Sequence, residues 1–370
     1  MECYRTRGKQ FVAGVVLKTL DVARARLSPT EPGHEVLIGF LDVALDKWDE
    51  SYNYLTYLGI DLLGLVPDAD GATARRQRDE WVGLLLADLL VFETGARDEA
   101  HDWLPMMRPD ADLHNKRLRL LEAALSTSFD DGDGSGLDER ARRLLHEAST
   151  ARTRTLLVSM QPVYVVHDEY LFIRVLQAFE VTFAAMAAEL RDAIAAVRAG
   201  LAEEAAACLR RCAGVLAASR SLFSLLATMR AESFRAFRIY TVGASAIQSD
   251  NYKIFEALCS PPPRSRIDSP AYESVPVIRD RVLGEWLDLT SAVEESLARG
   301  VLDPEGRDLV GDAAGELEDV HQRWKQTHWK LAVRMIGEES GTGYTVGTPY
   351  LKSAIDNRLF VRLHPRADRG

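Results

Sequence analysis

Cysteine is scarce in this chain: Cys3, Cys208, Cys212 and Cys259 are the only four among 370 residues. So few, spread so widely, exclude the disulfide framework of a small secreted domain. Cys208 and Cys212 would share one helix face and read as small buried residues rather than as a metal pair. Long hydrophobic runs are missing too. No stretch approaches the roughly 18 consecutive apolar residues of a membrane-spanning helix, so no membrane partner is expected. The opening segment MECYRTRGKQF has neither an apolar core region nor a cleavage site, which reads as a cytoplasmic protein. Positive charge is in deficit, with 45 Lys and Arg against 55 Asp and Glu and a net charge of -10. That balance argues against nucleic acid and anionic membranes as partners. Alternating strand patterns and internal repeats are likewise absent, which leaves little room for a sheet or a solenoid.

What is present is helical. At 47% hydrophobic and 27% charged, the chain can bury a large core in one or two domains. Helical periodicity covers 10–28, 34–47, 73–95, 112–126 and 138–157. A long helix starts near Asp168 and runs to about Ala199, where Gly200 stops it, and its partner covers 202–229. The loop SPPPRSRIDSP breaks any helix between Ser260 and Pro270. Two more helices follow over 276–299 and 304–336. The expectation is an all-α bundle of long antiparallel helices with a ligand buried between them. The loop DDGDGSGLDER (Asp130–Arg140) has the look of a calcium loop, but counting from Asp131 puts Asp138 where an apolar residue belongs and Arg142 where the bidentate Glu belongs. It reads as a linker.

The most informative stretch is Trp324–Leu351, WKQTHWKLAVRMIGEESGTGYTVGTPYL. Trp324, His328, Leu331 and Met335 recur at three- and four-residue spacing, which places His328 on a buried stripe. A histidine there is either a core residue satisfied by hydrogen bonds or a metal ligand. His321 lies on roughly the same face; it could support His328 from behind, but it reads more readily as a surface residue. The turn Gly341-Thr342-Gly343 suits a helix end.

Three further segments carry polar or aromatic groups in apolar settings. Tyr54-Leu55-Thr56-Tyr57-Leu58 suits core or interface packing. In His167-Asp168-Glu169-Tyr170-Leu171-Phe172-Ile173 the acids sit where the positive end of the long helix favours them, and we read all three polar residues as caps rather than catalysts. In FRAFRIYTVGASAIQS (Phe234–Ser249), Arg238 lies among apolar and small residues. A guanidinium there needs an anion, either an internal acid or a bound carboxylate, which its planar fork grips bidentately.

Together and in this order, the four segments resemble the tryptophan 2,3-dioxygenase superfamily. The resemblance implies an all-α bundle enclosing a b-type haem, with His328 as the axial ligand of the iron and O2 as co-substrate. No Cys-x-x-Cys-His occurs, so the haem would be held non-covalently. By the same resemblance Arg238 holds the carboxylate of an aromatic amino acid and Thr342 meets its ammonium. Phe172, Leu176 and Phe234 would line the substrate pocket, while Gly243, Ser245 and Trp324 lie against the porphyrin. Tyr54, Tyr57 and Leu58 would come from a neighbouring subunit, which implies a homodimer or homotetramer. The implied reaction is oxygenation of the indole ring of L-tryptophan or a close derivative, with 2,3-cleavage.

Departures from the family pattern qualify that picture. Leu176 stands where the family usually carries a distal histidine, Phe234 where a tyrosine is common, and Tyr344, Thr345 and Val346 replace the usual Gly-Ser-Ser. They favour an alternative, a monooxygenase hydroxylating a tryptophan derivative or another aromatic amino acid for a secondary metabolite. A haem-binding sensor without turnover is the reading from a different class. The expected organisation is N-terminal helices and the tyrosine segment over 1–65, an added helical region over 66–160, and the haem and substrate core over 161–370.

Overall fold

The helical periodicity of the sequence becomes helix almost throughout the computed structural model, which describes residues 1–31, 33–66, 69–125, 136–337, 339–343 and 347–363. In chain order the helices are α1 (Glu2–Arg7), α2 (Gly14–Arg24), α3 (His34–Leu45), α4 (Tyr54–Leu58), α5 (Gly71–Arg97), α6 (Ala111–Leu125), α7 (Leu137–Glu147), α8 (Thr150–Val158) and α9 (His167–Arg198). They continue as α10 (Ala202–Ala218), α11 (Arg220–Leu226), α12 (Ala231–Arg238), α13 (Asp250–Cys259), α14 (Arg264–Ile267), α15 (Pro270–Glu273), α16 (Pro276–Leu283), α17 (Leu289–Ala298), α18 (Pro304–Ile336) and α19 (Thr348–Ile355). Among the described residues the only extended pairing is an isolated bridge between Met106 and Val166. The chain is all-α.

The expected boundaries hold for the long helices and fail where a single cap intervenes. The stretch 138–157 splits because Ser149 accepts from Arg152 N at 3.2 Å and so starts α8 afresh. The stretch 276–299 splits because Asp288 accepts from Ser291 N at 2.9 Å and opens α17. The stretch 202–229 breaks at Ser219, and 10–28 shortens to α2 behind a separate turn at Lys9–Phe11. Between Ser260 and Pro270 the chain still forms the short α14. Most of the Asp130–Arg140 linker lies outside the described residues; the part described opens α7, where Arg142 pairs with Asp138 at 2.8 Å.

The chain divides into two compact units, one of 1–65, 79–179 and 221–246, the other of 66–78, 180–220 and 247–370. Residues 66–160 are therefore shared, 66–78 going to the second unit and the remainder to the first. In the second unit α10 packs along α18. Small residues permit the close approach: a Cβ on Gly306 would meet the Ala202 Cβ at 3.0 Å. Helix α18 starts under Asp303, which accepts from Gly306 N at 2.7 Å with Pro304 in the first turn, and ends at Gly337 with φ of 59°. Gly200 ends α9 with φ of 76°.

Helix α9 is the one described helix long and apolar enough to cross a bilayer, its best window averaging a hydropathy of 1.5. The protein itself buries 89% of that window, so its apolar faces are already taken by protein.

Candidate functional site

In the first unit the aromatic residues singled out by the sequence do meet. Phe172, one turn into α9, lies 5.5 Å from Phe234 and 5.4 Å from Phe237 on α12, centroid to centroid, and 6.5 Å from Tyr57. Phe234 and Phe237 stand edge to face at 5.3 Å. Such tilted contacts suit the ring quadrupoles better than a face-to-face stack. Phe172 and Phe234 keep part of their surface accessible, whereas Phe237 is buried. Leu176, one turn further along α9, is 9% exposed.

Tyr54, Tyr57 and Leu58 are 3%, 2% and 0% exposed within their own chain. Asn53 and Thr56 start α4 with a reciprocal capping box, and this turns Tyr57 inward. There its hydroxyl donates to Glu169 Oε1 at 3.2 Å.

Arg238 occupies the last turn of α12 and is half-buried rather than buried. Its carbonyl accepts from Thr241 Oγ1 at 2.9 Å, which closes the helix. Gly243 follows with φ of 94°, a left-handed backbone that favours glycine. A Cβ there would come 3.8 Å from Tyr52 O, so conformation rather than crowding selects the residue. Ser245 is half-buried.

In the second unit His328 lies on α18 with the Trp324 ring beside it, 5.5 Å away and tilted by 49°. Burial pushes its imidazolium pKa down to about 4, so the ring is neutral at pH 7. The residue nevertheless keeps some accessible surface. The stripe differs from expectation: Trp324, His328 and Leu331 are half-buried, Met335 is buried, and the fully covered face of α18 carries Val310, Ala314, Leu317 and His321 instead. His321 is not a surface residue. It is 1% exposed, its Nε2 sits 2.9 Å from Tyr252 Oη, and its ring lies parallel to Trp324. Desolvation, with Lys325 and Arg266 adding to it, holds its pKa well below the usual histidine range. Thr342 and Gly343 form a half-buried turn; Tyr344, Thr345 and Val346 lie outside the described residues.

Sequence reasoning missed most at the start of α9. His167, Asp168 and Glu169 are all fully buried, and each reaches a different partner. Glu169 accepts from Val163 N at 2.7 Å, Tyr164 N at 3.0 Å and Tyr57 Oη. Burial pushes its pKa up to about 8 against those donors and the nearby Lys9. Asp168 accepts from Arg117 Nη2 at 2.6 Å and from Arg230 N at 3.1 Å. His167 Nε2 faces Glu93 Oε2 at 3.2 Å. No local pattern could have announced Glu93, His114 or Arg117, which arrive from α5 and α6. The cysteine pair is as expected: both residues are buried, and Cys212 Sγ donates to Met186 O at 3.6 Å.

Comparison with known proteins agrees with this helical fold. A sequence model of the family "Tryptophan 2,3-dioxygenase" matches residues 146–274, a span that holds Phe172, Leu176, Phe234, Arg238, Gly243 and Ser245 but not His328. The tryptophan 2,3-dioxygenase of Bordetella parapertussis is 27% identical over 292 residues, 70% of this chain and 96% of that protein. The enzyme of the same name from Anaeromyxobacter dehalogenans is 27% identical over 241 residues, covering 56% of this chain and 89% of its own. That from Polaromonas sp. is 30% identical over 242 residues, 56% of this chain and 82% of its own. An all-α chain with this aromatic cluster and these relatives falls in one class. It belongs to the tryptophan 2,3-dioxygenase family.

Proposed function

We propose that the chain is a haem-dependent oxygenase that adds both atoms of O2 to the indole ring of L-tryptophan or a close derivative. The observation that carries the reading is His328. Iron binds imidazole through an unprotonated nitrogen, and this ring is held neutral by desolvation beside the apolar face of Trp324. The donor chemistry therefore fits a b-type haem. Gly243 and Ser245 would lie along the porphyrin, where the positive φ of Gly243 and its missing side chain leave backbone free to approach. Bound haem would supply the redox-active iron that O2 chemistry needs.

The chain's own part is binding and orientation. Arg238 would take the substrate carboxylate through its two parallel N–H donors, and the Thr342 hydroxyl would accept from the ammonium. Phe172, Phe234 and Leu176 would hold the indole against apolar surface and keep water away. Leu176 has no atom that can accept the indole N–H proton, so no side chain at that position acts as base. Such a departure costs about 1–3 kcal/mol of binding if nothing replaces the hydrogen bond. This one position also favours a second reading, a monooxygenase that adds one oxygen atom to a tryptophan derivative or another aromatic amino acid. A homodimer or homotetramer remains part of the proposal, with Tyr54, Tyr57 and Leu58 as the segment that would complete the substrate site.

Product mass decides between the readings. The reduced, haem-loaded protein is given L-tryptophan, O2 and excess reductant, which supplies the two electrons a monooxygenase needs to take the second oxygen atom to water; a gain of two oxygen atoms supports dioxygenation, and a gain of one supports the monooxygenase. His328→Ala should lose haem and activity together, and a normal Soret band in that variant would refute the ligand assignment.

A further inference from the structure

We propose that Glu93, His114 and His167 form a divalent transition-metal site, filled by zinc or a chemically similar ion, that fastens α5 and α6 to the first turn of α9. The three side chains come from three helices of the first unit and are 0%, 4% and 0% exposed. One ligand atom from each lies within 4.8 Å of the other two.

The geometry is not that of a satisfied hydrogen-bond cluster. Glu93 Oε2 is 2.9 Å from His114 Nδ1 and 3.2 Å from His167 Nε2. Even so, by hydrogen-bond geometry Oε2, Nδ1 of His114 and both ring nitrogens of His167 have no partner. A buried polar atom left unsatisfied costs about 1–3 kcal/mol, and a fold seldom gathers several at one point without a group to serve them. A metal ion resolves all three contacts at once. Ligand distances of about 2.0–2.2 Å put neighbouring donors of a tetrahedral site about 3.3 Å apart, close to the two spacings from Glu93 Oε2.

The surroundings suit a cation of this class. Two imidazoles and one carboxylate select zinc, ferrous iron or cobalt over magnesium and calcium, which take oxygen ligands. Glu93 Oε1 is already engaged by Arg117 Nη1 at 2.9 Å, so the carboxylate can give only Oε2 and its orientation is fixed from outside. The rings of His114 and His167 meet at 84°, and Phe92 stacks against His167 at 4.7 Å, which fixes that ring from its other side. Three protein ligands leave a fourth position for water. Full burial and the three separate helices point to a structural role. It would also give residues of the added region a task, since Glu93 and His114 both lie between 66 and 160.

The test uses the full chain, with zinc as the probe. After zinc loading and dialysis, elemental analysis should find one zinc per chain, and chelation with EDTA should lower the melting temperature reversibly. Cobalt should bind in its place with the visible absorption of a tetrahedral centre. Glu93→Gln and His114→Gln each remove one ligand and should weaken zinc binding by more than the roughly 10–100-fold that losing an outer partner costs. Failure to retain zinc, with the same melting temperature with and without EDTA, would overturn the proposal; it would mean that a proton shared by the imidazoles does the work of the cation. Zinc retained equally by wild type and both variants would overturn it too, since the ion would then sit elsewhere. Because the probe is zinc, the result is independent of haem. His328→Ala should bind zinc as the wild type does, so either reading can fail alone.

Discussion

Arg117→Met should cost far more stability than the loss of any exposed charge pair. Arg117 comes from α6, is fully buried, and has every guanidinium nitrogen engaged. Its Nε donates to Thr228 Oγ1 at 3.0 Å and its Nη1 to Glu93 at 2.9 Å, while its Nη2 donates to Asp168 at 2.6 Å and Thr228 O at 3.3 Å. Removing one partner of a buried pair costs about 3–5 kcal/mol, because the other charge stays buried and uncompensated. Here two carboxylates lose the same partner, which places the effect near the upper end. Methionine restores packing along the aliphatic stem, worth about 0.8 kcal/mol per buried methylene, so a net loss of about 4 kcal/mol is expected. The control is Arg142→Ala. Arg142 and Asp138 are 56% and 41% exposed, a pair worth less than about 0.5 kcal/mol. The assay is urea unfolding followed by circular dichroism, with EDTA present so that no metal contributes. A loss below about 1 kcal/mol, or one no greater than that of Arg142→Ala, would refute the reasoning.

Other perturbations test separate parts of the argument. Arg238→Leu should leave haem content unchanged and weaken binding of the amino-acid substrate by about 10–100-fold, the range for a charge-assisted hydrogen bond; unchanged affinity in an equilibrium titration would remove the carboxylate role. Burial pushes the Lys253 ammonium down to about 8, with Glu256 opposing, Arg266 adding to the fall, and Glu180 and Asp250 opposing. A lysine depressed in the folded state makes folding costlier below that value, and the cost is relieved as pH rises towards the unfolded value of about 10.4. The stability advantage of Lys253→Met over wild type should therefore shrink by about 2 kcal/mol between pH 7.5 and 10; no change in the gap would show that Lys253 stays charged. Gly8→Ala combines a φ of 79° with a Cβ 2.5 Å from Val163 O. The backbone must shift, and a loss of at least about 1–3 kcal/mol is expected on thermal unfolding; a loss below about 0.5 kcal/mol would contradict this geometry.

The fold was legible wherever a long amphipathic pattern outweighed local choices. Helices α5, α6, α9 and α18 start and stop within a few residues of the sequence reading, because dozens of side chains vote for the same period. The breaks at Ser149 and Asp288 were not legible. Each depends on one short polar side chain bonding to backbone nearby, which periodicity does not register. His321 shows a similar limit. Its spacing put it on the face of His328, but the burial of a polar residue is set by a distant partner, Tyr252. Lys325 is buried on the same helix because its ammonium donates to Ala354 O at 3.1 Å and Ile355 O at 2.9 Å at the end of α19.

The start of α9 shows most plainly why the candidate site could be only half read. The acids at 168 and 169 were expected to favour a helix N-terminus, and they do lie in its first turn. Their partners, however, are spread over α4, α6 and the 160–164 turn, where no local motif can point. The consequence reaches the proposed chemistry. Phe172 and Leu176 follow Asp168 on the same rigid helix, about 6 and 12 Å along its axis at 1.5 Å per residue. A tilt at the first turn therefore moves both side chains that would face the indole. Loss of Arg117 should then lower kcat/KM for the aromatic amino acid at temperatures where the variant is still fully folded, with haem content unchanged. If Arg117→Met instead keeps full kcat/KM until it unfolds, the network holds the fold together but does not aim the pocket.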